Sequence, residues 1–439
     1  MKGISSLVNT KTINILAGIV FLTVLFLPFI KLKPGIPGFE VVDIIIVILG
    51  IVVWINRKAY QSKRLFYIIL GYAFYVLITI FVNSRFFEVR DYFEIYKLLK
   101  FLIIIGLFTL INGKKFIKKW IKPAFVVLVI FNMIHYYDLF YFNDLLENYY
   151  QAGKRVSEFG LDSMGHPTDK RLLGFLCNPN YNAITFMFFS IIFIPKYGER
   201  LKIRELIFFS IAILMVFLCQ SRTELVALAV TLVAYMVPII RKELKKILLV
   251  LGVSAGCFVL SSAIIEASVF SDDSEPIVQN GDMDSEVSDS LENAELNQPL
   301  YLETLFDGSA IKSNSLQQRI VIWSLLWEMI KDKPVFGHGP NKEFFYDNKL
   351  YAESDYMLVL WRYGFIGLLI HLLIFSYVIY ATVRKLNQPF ALIAFLYTIV
   401  LIMSSLANNP FFHQTLMVLY GIVIGFYLNS MNVKNKSET

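Results

Sequence analysis

VVDIIIVILGIVVWINRK, residues 41–58, is an almost unbroken apolar run that ends on Arg57 and Lys58. A run of this kind, closed by basic residues, reads as a membrane-spanning helix whose basic end lies in the cytoplasm. Working outward from it, the same pattern repeats along the chain. Further apolar runs cover residues 13–30, 65–82, 98–111, 121–139, 175–194, 206–219, 225–240, 247–265, 356–381, 390–406 and 416–427. About twelve spans of about twenty residues are therefore expected. The fold class is all-α: a polytopic transmembrane helix bundle with a large extracytoplasmic loop that contains an amphipathic helix.

Composition agrees. Charged residues make up 17% of the 439, below the roughly 25% usual for soluble domains, and 56% are hydrophobic. The net charge of +7 does not point to nucleic acid, because the basic residues are concentrated in alternate short loops. Lys63 and Arg64 follow the second run, Lys114, Lys115, Lys118 and Lys119 the fourth, and Lys196, Arg200, Lys202 and Arg204 the sixth. Arg241, Lys242, Lys245 and Lys246 follow the eighth, and Arg384 and Lys385 the tenth. Every second loop then faces the cytoplasm, as do both ends of the chain. The first apolar run lacks a small-residue cleavage site and reads as a retained helix. Cys177, Cys219 and Cys257 are not spaced as a metal site or a disulfide framework.

The expected organisation is in three parts. Residues 1–265 supply nine transmembrane helices, residues 266–353 an extracytoplasmic loop, and residues 354–439 three more helices and a cytoplasmic tail. A second long outer loop covers about 141–173. Within the larger loop, residues 271–297 carry nine acidic residues and no Lys or Arg, the composition of a solvated spacer. The EF-hand ligand spacing for calcium is absent. Beyond it, Leu316, Ile320, Trp323, Trp327 and Ile330 recur every three or four residues. That spacing predicts an amphipathic helix over about 315–331, lying on the membrane surface or docked on the bundle. Packing explains its apolar stripe but not Arg319 on the other face.

Pro334-Val335-Phe336-Gly337-His338-Gly339-Pro340-Asn341 follows. Its glycines permit a tight turn and a close backbone approach. Glu353-Ser354 then precedes the tenth run, in which Gly364 and Gly367 would let a neighbouring helix come close.

Taken in order, Cys177-Asn178-Pro179-Asn180, Gln220-Ser221-Arg222, Arg319-Ile320-Val321-Ile322-Trp323, Gly337-His338-Gly339-Pro340-Asn341 and Glu353 to Gly367 resemble the O-antigen polymerase and ligase family. These are bacterial membrane glycosyltransferases. The resemblance runs from Gly174 to Gly367. The ligase pattern is His, then Asn, Ser or Gln, nine residues, and Gly-x-x-Gly. Ser354, Gly364 and Gly367 fit it, and Glu353 stands where it has His.

The resemblance implies polyprenyl-diphosphate-linked oligosaccharides as substrates, at the outer face of the bacterial cytoplasmic membrane, with no metal and no cofactor. A chain-length regulator and a flippase are the partners it suggests, besides membrane lipids. Expected catalytic residues are Glu353, Arg319 and Arg222. A guanidinium pairs with phosphate oxygens through a planar fork, although an Arg at a helix end is often only an interfacial anchor. Expected substrate-binding residues are Asn178, Asn180, His338, Asn341 and Arg171. The two asparagines equally suit a cap at the start of the sixth run, and Glu353 a cap at the start of the tenth. The expected activity is polymerisation of lipid-linked repeat units into O-antigen, capsule or exopolysaccharide. A ligase acting on lipid A core or protein is the alternative, and a transporter or flippase the more distant one. A transporter would show internal repeats, and the chain has no clear repeat.

Overall fold

The computed structural model describes residues 10–27, 41–56, 63–137, 139–141, 171–176, 178–239, 243–270, 315–342, 344 and 352–438. The acidic stretch 271–297 and Cys177 lie outside these. Among the described residues every regular element is a helix. In chain order they are α1 (Thr10–Phe26), α2 (Val41–Ile55), α3 (Lys63–Val82), α4 (Val89–Thr109), α5 (Gly113–Phe116) and α6 (Lys122–Tyr136). A π-helical turn, Ile117–Ile121, joins the last two. There follow α7 (Pro179–Phe193), α8 (Ile203–Leu218), α9 (Arg222–Ile239), α10 (Leu244–Phe270) and α11 (Ser315–Asp332). The chain closes with α12 (Asp355–Val383), α13 (Pro389–Ser404) and α14 (Gln414–Glu438).

Each of the twelve apolar runs overlaps a helix among the described residues. Four stretches are long and apolar enough to cross a membrane by length and composition: Lys63–Val82, Leu244–Glu266, Asp355–Val383 and Gln414–Met431. Thr10–Phe26, Val42–Ile55 and Pro389–Ser404 are shorter apolar helices. The outer faces of these helices stay apolar, as at Ile44, Val47, Ile51, Phe74 and Leu369, which are exposed. Such faces suit hydrocarbon and not water.

The core is built around α4, α7, α13 and α14. α14 lies along α4, and α13 packs on α7, α9, α12 and α14. α3 and α12 close one side, and α8 and α10 pack beyond α7. Aromatic rings fill the centre, with Phe101 stacked on Tyr420 and Phe108 edge-on to both Phe116 and Phe426.

The amphipathic helix forms where expected, but its docked face differs. Leu326 and Ile330 are buried against Trp361 and Leu358 of α12. Ile320 and Trp327 are exposed and line a shallow groove with Trp323 and Met357. The docked face of α11 is set by Leu326 and Ile330, with Ile322 and Met329 packed beside them; Trp327 stays outward and Trp323 is part-buried.

Gly367 faces Tyr75 of α3, as expected of a close approach, but Gly364 acts differently. Gly364 has φ 63°, so the helix breaks there. The Pro334–Val335 backbone, and not a helix, enters the break, and the Phe365 amide donates to the Pro334 carbonyl at 2.8 Å. A Cβ on Gly364 would lie 2.2 Å from the Val335 oxygen.

Candidate functional site at one end of the bundle

Two helix starts are built alike. Gln220 (φ 50°) precedes Ser221 and the first residue of α9, Arg222. Glu353 (φ 42°) precedes Ser354 and the first residue of α12, Asp355. In each the left-handed residue turns the chain, and the serine hydroxyl accepts from a backbone amide three residues on. Those amides are Glu224 at 3.4 Å and Met357 at 3.5 Å. The cap of α12 is thus Ser354, which leaves Glu353 outside the helix with its carboxylate uncommitted to capping. Left-handed conformations cost a non-glycine residue about 1–3 kcal/mol and gather at functional sites.

Both helix starts meet on one turn, Ser404–Phe412, between α13 and α14. Glu224 is fully buried and accepts from the Ser404 hydroxyl and from the Asn408 amide at 3.0 Å. Asp355, also fully buried, accepts from the Ser405 hydroxyl at 2.8 Å and the Phe411 amide at 2.9 Å. The Asp355 amide in turn donates to the carbonyls of Ser405 and Asn408. Asn180 reaches the same turn, donating to the Asn408 side-chain oxygen at 2.8 Å. Buried carboxyls are tolerated only with donors of this kind.

On the outward side, the Arg319 guanidinium donates through Nε to Glu353 at 2.5 Å. Trp323, one turn further along α11, donates from its indole to the Ala352 carbonyl at 2.6 Å. These two bonds hold α11 against the start of α12. The carboxylate remains half exposed, so the pair adds only about 0–1 kcal/mol to stability. Arg222 is exposed and makes no hydrogen bond or ion pair among the described residues. The shared turn therefore brings Arg222, Glu353, Arg319 and Asn180 to the same end of the bundle.

Of the remaining expected residues, Asn178, His338 and Asn341 serve the fold or lie elsewhere, and Arg171 lies near the end of α8 that leads into Arg222. Asn178 caps α7, its side-chain oxygen accepting from the amides of Asn180 and Tyr181 at 2.9 and 3.3 Å. That oxygen is not available to a sugar. His338 stacks on Trp361 at 5.3 Å between centroids, with Nε2 2.9 Å from the Met329 carbonyl. Burial pushes its pKa down. Met329 lies ten residues along α11 from Arg319, about 15 Å away, so His338 belongs to the loop's packing and not to the Glu353 group. Asn341 is left-handed (φ 37°) and precedes Lys342, which enters a different cluster. Arg171 precedes Leu172, whose amide bonds the Leu218 carbonyl near the end of α8.

That other cluster was not expected from the sequence. Glu94 of α4 is buried, with Lys342 at 2.7 Å, Lys97 at 3.2 Å and Arg362 at 3.7 Å. Asp91, one turn earlier, pairs with Arg85 at 2.5 Å and accepts from the Lys342 amide. Desolvation holds the Lys342 ammonium down at about 8, against the pull of Glu94. The cluster ties the 334–342 loop to α4 and α12. Its signal was present, since Asp91, Glu94, Lys97 and Lys100 recur at three-residue spacing. Beginning the fourth run at Leu98 hid it. The Ser404–Phe412 turn gave less warning, because a Ser-Ser-Leu-Ala-Asn-Asn-Pro sequence reads as an ordinary connection.

Apolar helices of this kind, enclosing buried polar clusters toward one end, mark an integral membrane protein. Residues 207–372 match the family model described as O-Antigen ligase. The match supports the O-antigen polymerase and ligase family, whose members are glycosyltransferase-like enzymes and whose membership implies lipid-linked glycan substrates. None of the curated proteins compared with the chain matches it. The matched residues include Arg222, Arg319 and Glu353, and leave out Asn180 and the Ser404–Phe412 turn.

Proposed function

We propose that the protein is a polymerase that joins polyprenyl-diphosphate-linked oligosaccharide repeat units at the outer face of the cytoplasmic membrane. The observation that supports this reading is the Arg319–Glu353 pair at the start of α12, at the same end of the bundle as the exposed Arg222. A guanidinium has five N–H donors. With Nε on Glu353, its outer edge stays open to a phosphate oxygen while the carboxylate is held in place.

In the proposed step, a sugar hydroxyl oxygen of one lipid-linked chain attacks the anomeric carbon of the other. The bond from that carbon to the diphosphate oxygen breaks, and its electron pair leaves with the diphosphate. The hydroxyl proton passes to Glu353. Arg222 and Arg319 stabilise the charge gathering on the leaving group. The positive N-terminal ends of α9 and α12 add to the same field. Glu353 in an ion pair is a weaker base than a free carboxylate. A diphosphate that draws Arg319 toward itself would restore its basicity at the moment of attack. We assign Asn180, tied to the shared turn, and Arg171, whose neighbour Leu172 bonds the Leu218 carbonyl just before Gln220, to substrate binding at this end of the bundle.

The reading includes twelve spans, outward placement of residues 266–353, and work alongside a flippase and a chain-length regulator. A ligase is the second reading, favoured by the description of the matching family model. Glu353 in place of the ligase-pattern His weighs against it, since ionised Glu accepts a proton but has none to donate. Lipid-linked glycans extracted from a deletion strain test the assignment. Single repeat units accessible from outside are the expected result. Full-length polymer left on the lipid carrier would mean a ligase, and single units trapped inside a flippase.

A further inference from the structure

At the far end of α12 from Glu353 lies a cavity of about 540 Å³, bounded by α3, α4, α12 and α14. α12 has 29 residues, so the two places are roughly 40 Å apart. The cavity floor is apolar, formed by Ile105, Val378, Ile424 and Leu428. Its rim carries four cations, Lys63 and Arg64 at the start of α3 and Arg384 and Lys385 at the end of α12. Among the described residues no carboxylate lines it. Among the described residues none of these four cations is ion-paired with an acid. Arg384 lies over the ring of the exposed Tyr380 at 5.0 Å, and Lys385 is steadied by the Met431 sulfur at 3.2 Å.

Uncompensated cations over an apolar floor call for a ligand with an anionic head and a hydrocarbon body. The polar groups further in are already used. The Thr109 hydroxyl donates to Ile105 and the Tyr427 hydroxyl to Ala381. Few donors remain to read a sugar or a nucleobase. Basic pockets between membrane helices on the cytoplasmic side are suited to anionic phospholipid headgroups. The loops at this end are the basic ones that follow the positive-inside pattern.

We infer that this cavity is a binding site for an anionic phospholipid of the cytoplasmic leaflet, separate from the glycan site. The headgroup phosphate would meet Arg384, Lys385, Lys63 and Arg64, and an acyl chain would lie along Val378 and Leu428. This goes beyond the proposed function and does not depend on it.

Native mass spectrometry of the full-length protein tests it. The protein is delipidated in detergent and offered phosphatidylglycerol or phosphatidylcholine with identical acyl chains. Each basic residue near a membrane surface changes anionic-lipid affinity by about fivefold. The wild type should therefore retain phosphatidylglycerol well over tenfold better than phosphatidylcholine. The double variant R384Q/K385Q should retain phosphatidylglycerol about 25-fold less well, with phosphatidylcholine unchanged. Equal retention of the two lipids by the wild type, or undiminished phosphatidylglycerol on the double variant, overturns the inference. So does complete displacement of phosphatidylglycerol by inorganic phosphate, which would make the rim a free-anion site. If the variant fails to assemble, the wild-type lipid comparison and the phosphate competition decide alone.

Discussion

Glu353 and Arg319 are 34 residues apart in sequence and in direct contact in space, and each limits what the other does. Removing either leaves a partly exposed partner that water can solvate, so protein level should be nearly unchanged. Activity should not be. Arg319→Ala and Arg222→Ala are each expected to lower polymer formation about 100- to 1000-fold, the usual cost of losing one donor to a developing charge. Lys at either position should recover only part, since an ammonium lacks the fork. Polymer amount at matched membrane levels reads this out, and near-normal polymer from both Ala variants removes the diphosphate clamp. For Glu353 the cap explanation has been taken over by Ser354. Glu353→Gln should therefore keep lipid-linked substrate bound and slow turnover strongly, and Glu353→Ser should do no better. Normal ladders from both would mean that the acceptor hydroxyl is activated elsewhere.

At the scale of the element, α12 is broken at Gly364 and the 334–342 loop is seated in the break. Gly364→Ala places a methyl on the Val335 carbonyl and forces a left-handed alanine. A loss of about 1–3 kcal/mol, from the backbone conformation alone, is expected. It should show as faster amide exchange across 334–342 before any change in the rest of the bundle, and unchanged exchange there would mean that the break is not seated by this contact. His338 in the same loop supplies a pH test. Burial lowers its pKa in the folded state below the ordinary 6.5. The unfolded chain then binds more protons as pH falls through about 6.5, so the loop's stability falls on acidification. After correction for the intrinsic pH dependence of amide exchange, the opening equilibrium of 334–342 should rise between pH about 7 and about 5, and His338→Gln should flatten that dependence. An equally steep dependence in the variant would assign it to another group. From the sequence, the helix over 315–331 and the turn around His338 were legible, because period and glycine spacing are local properties. Which face of α11 docks was not, since Leu326 and Trp327 are both apolar and only the position of Trp361 chooses between them.

On the scale of the whole molecule, the apolar runs were legible as helices, and four stretches are long and apolar enough to cross a membrane, because length and hydropathy are local properties of the sequence. The candidate site's residues differ in how far the sequence marks them. Arg222, Arg319 and Glu353 stood out by chemistry and by resemblance, whereas Glu224, Asp355 and Asn408 did not. Their role is pairing across 50 to 184 residues of sequence, which no local pattern records. Orientation can be measured directly. Reporter fusions at Lys118 and Lys202 should report cytoplasm, and those at Gly160 and Glu286 the outside. A cytoplasmic signal at Glu286 would turn the molecule over and take Glu353 away from outward-facing substrate.

The turn at Ser404–Phe412 bears on how this protein can be recombined with its relatives. The stretch that matches the family, residues 207–372, contains both buried carboxyls and none of the donors that satisfy them. Transplanted without α13 and the turn after it, that stretch would carry two acids into the bilayer with nothing to bond, at several kcal/mol each. A chimera that changes acceptor preference should accordingly take its crossover beyond Phe412, so that the matched segment and its C-terminal socket travel as one inheritance.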